Sequence, residues 1–272
     1  MYVCICVLFL VEYTDMAKHA QSVMQANGLS DIVTVIQGAV EDLELPVEQD
    51  NLEPEEVGSD RVVDIIISEW MGYFLLRESM LDSLIRARDK FLKRRTGLMF
   101  PSHTTMYIAP VFDEEERKIS LQEYSGSMSD WAEFADTTKS IYGVDMSVLE
   151  RDFEKEQKEY YLLSSRWSEL KPEAVLAEPA LVKQLDMMTC TLNDSRGIFE
   201  GDPNSTFEFD VVSLNSNDGP ISGFAGWFTA DFKSRTDSNS EHSPKLTKPT
   251  VLSTGPEEGY THWGQVTKYS KE

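Results

Sequence analysis

The chain is 272 residues long, with 25 Lys and Arg against 47 Asp and Glu and a formal net charge of −22. That length holds one large domain or two ordinary ones, and 41% hydrophobic with 10% aromatic residues is enough for packed cores. The charge excludes a general nucleic-acid binder, since phosphate contacts need Lys and Arg to displace counterions, and it disfavours an anionic membrane surface; cationic partners fit, as does a merely solvated acidic surface.

Residues 1–11 (MYVCICVLFLV) are too short to cross a bilayer and lack a basic leader; they read as a buried parallel strand. Thr14 or Asp15 then caps a helix whose positions Met16, Ala17, Ala20, Val23 and Met24 keep the helical period, with Gly28 at its C′ position. Residues 31–36 form a second strand, 38–46 its exit loop, and 47–60 an acidic, solvated insertion. Residues 62–68 form a third buried strand. A helix follows from Ser79 to about Lys93, with the stripe Met80, Leu81, Leu84, Ile85, Arg88, Phe91 and Leu92. Strands alternating with helices predict an α/β unit with a parallel sheet. Ligands in such sheets sit at the carboxyl ends of the strands, and those ends carry Glu12, Glu41 and Glu69.

The pattern changes after Pro101. Residues 112–170 are polar and helix-rich, with a charged run at 150–159. Apolar residues recur within it (Trp131, Phe134, Ile141, Tyr142, Val148, Leu149, Phe153), so a solvated face and an interaction arm both fit. Later β signals at 187–192, 206–213 and 221–232 predict a sheet or barrel, and 233–249 a polar loop. Three cysteines, Cys4, Cys6 and Cys190, do not make a secreted disulfide framework; they point to a reducing compartment, cytoplasmic or nuclear. The four histidines form no recognised metal pattern with cysteine, so no metal is expected.

The sharpest chemistry lies at residues 68–80, SEWMGYFLLRESM. Glu69 leaves a strand and Glu78 enters a helix, joined by a largely apolar loop. Unpaired carboxylates in an apolar wall are costly. Such a pair is neutralised by Arg77 or Arg86, serves as the two acids of a sugar hydrolase, or receives a planar guanidinium.

This stretch resembles the double-glutamate loop of protein arginine N-methyltransferases. Residues 260–265, YTHWGQ, resemble that family's Thr-His-Trp loop. VEYTDMAKHA followed by ANGLSDIVTVIQGAVEDLELP is similar to its cofactor-binding region. The resemblance runs from about Val11 to Gln265, and the LLRES form and long arm look most like the plant long-arm type. It implies an α/β plus β fold. A partial Rossmann-like, S-adenosylmethionine-binding domain over 1–101 would precede a β-barrel domain over 102–272, incomplete at its C-terminus, with a helical dimerisation arm at about 112–170.

The activity so implied is S-adenosylmethionine-dependent methyl transfer to the guanidinium of protein arginine, of the asymmetric-dimethylating type. Arg-rich histone tails or Arg-Gly-rich proteins would be the substrates, and a homodimer would form through the arm. By resemblance, Glu12 holds the cofactor ribose, Val40 and Glu41 lie at the adenine, and Met80 lies near the sulfonium. Glu69 and Glu78 grip the target guanidinium, Glu78 or His262 receives or relays the proton, and Tyr73 and Trp263 line the arginine channel through cation–π contact.

One family element is not found. The family's GxGxG turn follows its first strand, whereas no two glycines here are separated by a single residue. The resemblance begins at about the second strand and stops where the family's barrel continues. Weak or absent cofactor binding by this chain alone is therefore expected. A dimerising, Arg-rich-tail-binding module of little or no catalytic power is the alternative.

Overall fold

The computed structural model describes residues 7–11, 14–45, 62–196, 205–211, 221–237, 239 and 241–269. Two parallel strand pairs, each closed by a helical crossover, make the first part of the chain. β1 (Val7–Val11) pairs with β2 (Val33–Gln37) in register Val7↔Val33 to Val11↔Gln37. α1 (Thr14–Ala26) connects them. It ends as expected at Gly28, whose φ of 68° a glycine adopts without Cβ strain. There Leu29 N–H donates to Met24 O at 2.9 Å and Gly28 N–H to Gln25 O at 3.2 Å, a Schellman closure.

The second pair is β3 (Ile65–Ile67) with β4 (Leu98–Phe100), connected by α2 (Leu81–Phe91). Among the described residues no ladder joins the two pairs, so the single parallel sheet predicted from the sequence is two pairs instead. With β4 as its one partner among the described residues, β3 is shorter than predicted and exposes Ile65 and Ile67 rather than burying both faces. α2 also starts two residues later than predicted. Phe74, Leu75 and Ser79 have φ of 46°, 64° and 59°, which a right-handed helix does not admit. Met80 becomes an exposed N-cap instead of a core residue, while Leu81, Leu84, Ile85 and Phe91 form the buried stripe. The acidic insertion predicted at 47–60 lies outside the described residues.

From Ser102 onward the chain builds an antiparallel sheet. β5 (His103–Val111) pairs along its whole length with β8 (Gly223–Phe232), from His103↔Asp231 to Val111↔Gly223. The strand order is β6 (Arg166–Ser168), β10 (Gln265–Tyr269), β8, β5, β7 (Ala180–Asp186), with β9 (Thr250–Ser253) also pairing with β8. Among the described residues this order is an open path.

The strand predicted at 187–192 is instead the turn that ends β7. Asp186 accepts through its side chain from Met188 N–H and through its carbonyl from Cys190 N–H, which bends the chain. Residues 206–211, also predicted as strand, carry no ladder.

Between β5 and β6 lies the predicted helical stretch. α3 (Glu114–Tyr142) is 29 residues long, capped by Asp113 accepting from Glu116 N–H and ended by Gly143 at φ 67°. α4 (Glu150–Lys158) continues into a π turn at Glu159–Leu163 and returns along α3. Trp131 stacks on Phe153 at 4.5 Å, and Ser127 donates to Gln157 at 2.8 Å. Ile141, Tyr142 and Val148 stay exposed. None of the described helices is long and apolar enough to cross a membrane.

One core welds the two parts. Trp70, Leu75, Leu81, Leu84 and Ile85 pack with Met106, Leu185, Met187 and Phe228 of the antiparallel sheet and its turn. Arg88 lies within this contact, buried, and donates to Met187 O at 2.9 Å and Cys190 O at 2.7 Å. The stripe position of Arg88 is thus that of a guanidinium spent on turn carbonyls.

Candidate active site

The loop after β3 turns inside a few residues. Ser68 N–H closes the parallel ladder on Phe100 O at 3.0 Å, and Gly72 N–H reaches Leu75 O at 2.9 Å across a tight hairpin. Phe74 and Leu75 sit in left-handed conformations at its tip. Such residues cost free energy and persist where surrounding packing over-determines them. Here the packing is Leu75, 1% exposed, and the Phe74 ring, which lies where a Cβ on Gly226 of β8 would come within 2.4 Å of it. Glu78 folds back over Gly72, where a Cβ would lie 2.8 Å from its Cγ.

The apolar residues of the loop point inward and its two acids outward. Glu69 and Glu78 are both exposed, which corrects the expectation of carboxylates in an apolar wall: both stay hydrated and avoid the cost of desolvation. Among the described residues neither makes an ion pair or hydrogen bond, so neutralisation by Arg77 or Arg86 does not occur. Arg86 pairs instead with Glu41, at 3.8 Å.

The Thr-His-Trp segment arrives beside this loop from the other end of the chain. Gly264 N–H turns back on Thr261 Oγ1 at 3.1 Å, with Gly264 at φ 51°. Trp263 Nε1–H donates to Met71 O at 2.6 Å, across 192 residues of sequence. Its ring meets Phe228 edge-on at 5.6 Å. Trp263 is therefore half-buried as a strut, with its N–H already used. His262 is exposed and stacks on Tyr73, with ring centroids 6.3 Å apart and planes 23° from parallel. Glu69, Glu78, Tyr73 and His262 are thereby carried by two loops locked to each other.

The residues assigned to the cofactor lie along α2. Val40 is buried, and Glu41 accepts from Ser83 Oγ at 3.0 Å through Oε1, the atom that also faces Arg86. Lys90 donates to Glu41 O at 3.1 Å, which holds the exit loop of β2 against the helix. Val40, Glu41, Ile85, Arg86, Asp89 and Lys90 line an open cleft of about 440 Å³. Met80 stands at the N-cap of the same helix. Glu12 lies outside the described residues.

Two interactions had no signal in local sequence. Asp82, in the first turn of α2, accepts from Ser195 Oγ at 2.6 Å and from both Arg196 guanidinium nitrogens, at 3.0 and 2.6 Å. Those hydrogen bonds, Arg196 first, hold its carboxyl below the ordinary range. They staple the helix start beside Glu78 and Met80 to the turn after β7. Cys190 is buried under Arg88, and burial pushes its thiol up to about 11, so it is a packing residue rather than a nucleophile.

The arginine methyltransferase oligomerization subdomain matches residues 102–272. Protein arginine N-methyltransferase PRMT10 of Arabidopsis thaliana is 41% identical over 261 residues, covering 95% of this chain and 60% of that protein. Probable protein arginine N-methyltransferase 6.1 of Oryza sativa is 34% identical, covering 96% of this chain and 62% of its own length. The crystal structure of Arabidopsis thaliana protein arginine methyltransferase 10 superposes with a TM-score of 0.78 at 37% identity, over 98% of this chain and 68% of that one. The Trypanosoma brucei PRMT1 enzyme-prozyme complex with AdoHcy shares the fold, with a TM-score of 0.61 at 22% identity. This chain spans about 60% of the length of the curated PRMT10 relatives. With the matched subdomain and these identities, the chain belongs to the protein arginine N-methyltransferase family.

Proposed function

We propose that this chain grips a protein arginine and supports S-adenosylmethionine-dependent methyl transfer to its guanidinium. The observation that carries this reading is the Trp263–Met71 hydrogen bond, which brings the double-glutamate and Thr-His-Trp loops to one surface. Two exposed carboxylates without partners among the described residues, beside a half-buried tyrosine and an exposed histidine, make a receptor for a planar cation.

Arginine stays protonated at neutral pH, with a pKa above about 12, and its lone pairs are delocalised. Glu69 and Glu78 draw positive charge toward the nitrogens they bind and leave the attacking nitrogen richer in electrons. They also fix its direction, which replaces an entropic cost of the reaction by binding. Glu78 or His262 takes the proton that the guanidinium releases. Tyr73 offers a ring face to the cation, and Trp263 holds the loop in place besides offering its own ring faces.

The residues at the second cleft fit the cofactor. Ser83 and Arg86 both engage Oε1 of Glu41, so Oε2 remains for an exocyclic amine. Val40 supplies an apolar wall for the adenine, Glu12 is assigned to the ribose, and Met80 is exposed at the helix start, on the side of Glu78. Bound S-adenosylmethionine supplies an electrophilic methyl group. Asymmetric dimethylation, Arg-Gly-rich or histone-tail substrates, a homodimer through α3 and α4, and a cytoplasmic or nuclear site belong to the same proposal.

The test is transfer of labelled methyl from S-adenosylmethionine to an Arg-Gly-rich peptide by the full chain, compared with Glu78→Gln; peptide binding without transfer would instead favour the Arg-rich-tail-binding module of little catalytic power. Loss of one charge-stabilising group should lower the rate about 100-fold or more. A rate that survives the substitution removes Glu78 from this role, and amino-acid analysis of the product assigns its symmetry.

A further inference from the structure

Outside the residues already assigned, one exposed aromatic pair is built into the same loop. Trp167 on β6 is 44% exposed and Tyr260 is 71% exposed, with their rings edge-on at 6.3 Å. Trp167 is not a loose surface residue. Its indole fills the space beside Gly264, where a Cβ would fall 2.4 Å from Nε1, so the Thr-His-Trp loop itself sets the ring. Two residues beyond Tyr260, His262 stacks on Tyr73. One short loop therefore carries two aromatic pairs, no more than about 7 Å apart along its backbone.

The charge around the outer pair is mostly negative. Glu258 is exposed in the turn just before Tyr260 and Glu169 two residues after Trp167, while Glu257 accepts from Ser253 Oγ at 3.0 Å and is directed back into its own turn. Arg166 is directed to Glu123 at 3.1 Å and Glu116 at 3.8 Å, so its charge is compensated on the arm. Lys268 stands on the strand face of Val266, the ladder partner of Trp167. Two acids against that lysine, around two exposed aromatic rings, suit a guanidinium better than an apolar or anionic group.

We propose that Trp167 and Tyr260 form a second arginine-binding platform, which holds a neighbouring arginine of an Arg-rich, Gly-rich peptide while Glu69 and Glu78 hold the target. This rests on the reading of the double-glutamate loop as an arginine receptor. The inner and outer pairs would make the chain prefer tails with closely spaced arginines. Glycine between them suits the narrow span, because it adds no side chain to be accommodated.

The experiment is fluorescence anisotropy of labelled Gly-rich peptides with the full chain at low ionic strength. One peptide carries a single arginine and another carries two, separated by one to three residues. Two arginines should bind about two- to fivefold tighter per ring engaged, beyond the twofold statistical gain. In Trp167→Leu with Tyr260→Ala the ratio of the two affinities should fall to the statistical value, while Tyr260→Phe should keep most of it. If the Trp167 variant fails to fold, Tyr260→Ala alone carries the test, since that ring is mostly in solvent.

A ratio unchanged by these substitutions, with single-arginine binding still weakened by Glu78→Gln, overturns the platform and leaves the receptor. No binding of the single-arginine peptide, or binding indifferent to Glu78→Gln, overturns both. Dissociation of a dimer by Tyr260→Ala in sedimentation would assign the patch to a second copy of the chain and overturn the platform.

Discussion

Trp263 donates its indole N–H to the carbonyl of Met71 at 2.6 Å, so the loops at 68–80 and 260–265 hold each other. Met71 is 5% exposed, and its carbonyl would otherwise be shut away from water. The bond crosses from the antiparallel sheet to the loop after β3. It makes the position of Glu69, Tyr73 and Glu78 depend on a loop almost 200 residues later.

Trp263→Phe keeps an aromatic ring near Phe228 but removes the donor together with part of the indole's packing. A buried carbonyl left unpaired costs about 1–3 kcal/mol, and each 1 kcal/mol lowers the melting midpoint by about 2–4 °C in a protein of this size. Scanning calorimetry should show that loss, and arginine-peptide affinity should fall with it. Glu78→Gln should do the reverse: affinity falls while stability stays within about 0.5 kcal/mol, because the carboxylate is exposed.

Gly226→Ala tests the packing behind the loop. The new methyl would meet the Phe74 ring at 2.4 Å in the middle of a nine-residue ladder, so the ring must move. Overpacking of this kind costs about 1–3 kcal/mol. Adding Phe74→Leu should recover part of the loss, giving a coupling energy in a double-mutant cycle. Independent, additive losses would show that the two residues do not touch in solution.

Stability should fall in mildly acidic solution through His103. Its ring is buried, with Nδ1 at 3.1 Å from Ser102 Oγ and Nε2 at 3.2 Å from Thr236 Oγ1. Burial holds its pKa below the ordinary 6.5, against the opposing pull of Asp186. The unfolded chain then binds a proton that the native chain does not. Stability is whole above pH 6.5 and declines as pH drops below it. Urea denaturation of His103→Gln between pH 5 and 7 should show a flatter profile than wild type.

The arm carries its own test. Ile141 is 66% exposed and Val148 80%, so Ile141→Asp and Val148→Asp should leave monomer stability within about 0.5 kcal/mol. Sedimentation velocity should show the proposed dimer converting to monomer. A dimer that resists both substitutions would place its interface elsewhere.

Local sequence determined a good deal about this protein. The helical period placed α1 and α2, and polar composition marked 112–170 as helix-rich. Gly28 marked a helix end because a left-handed residue was needed there. The loop at 68–80 was legible as a chemistry-bearing segment because two acids flank an apolar run, whereas the loop at 260–265 was legible only through its resemblance to the family's Thr-His-Trp loop. Local signals failed where a distant partner decides. Residues 187–192 have strand-like composition, yet Asp186 captures the next amides and the ladder runs through 180–186 instead.

Only the tertiary structure decided how the site is held. Trp263 with Met71, Phe74 with Gly226, and Asp82 with Arg196 each join residues more than a hundred positions apart. It also turned Glu69 and Glu78 outward, since an apolar loop can bury its hydrophobic residues only by pointing its acids at water. Periodicity records which face of an element is apolar; it carries no record of what that face will meet.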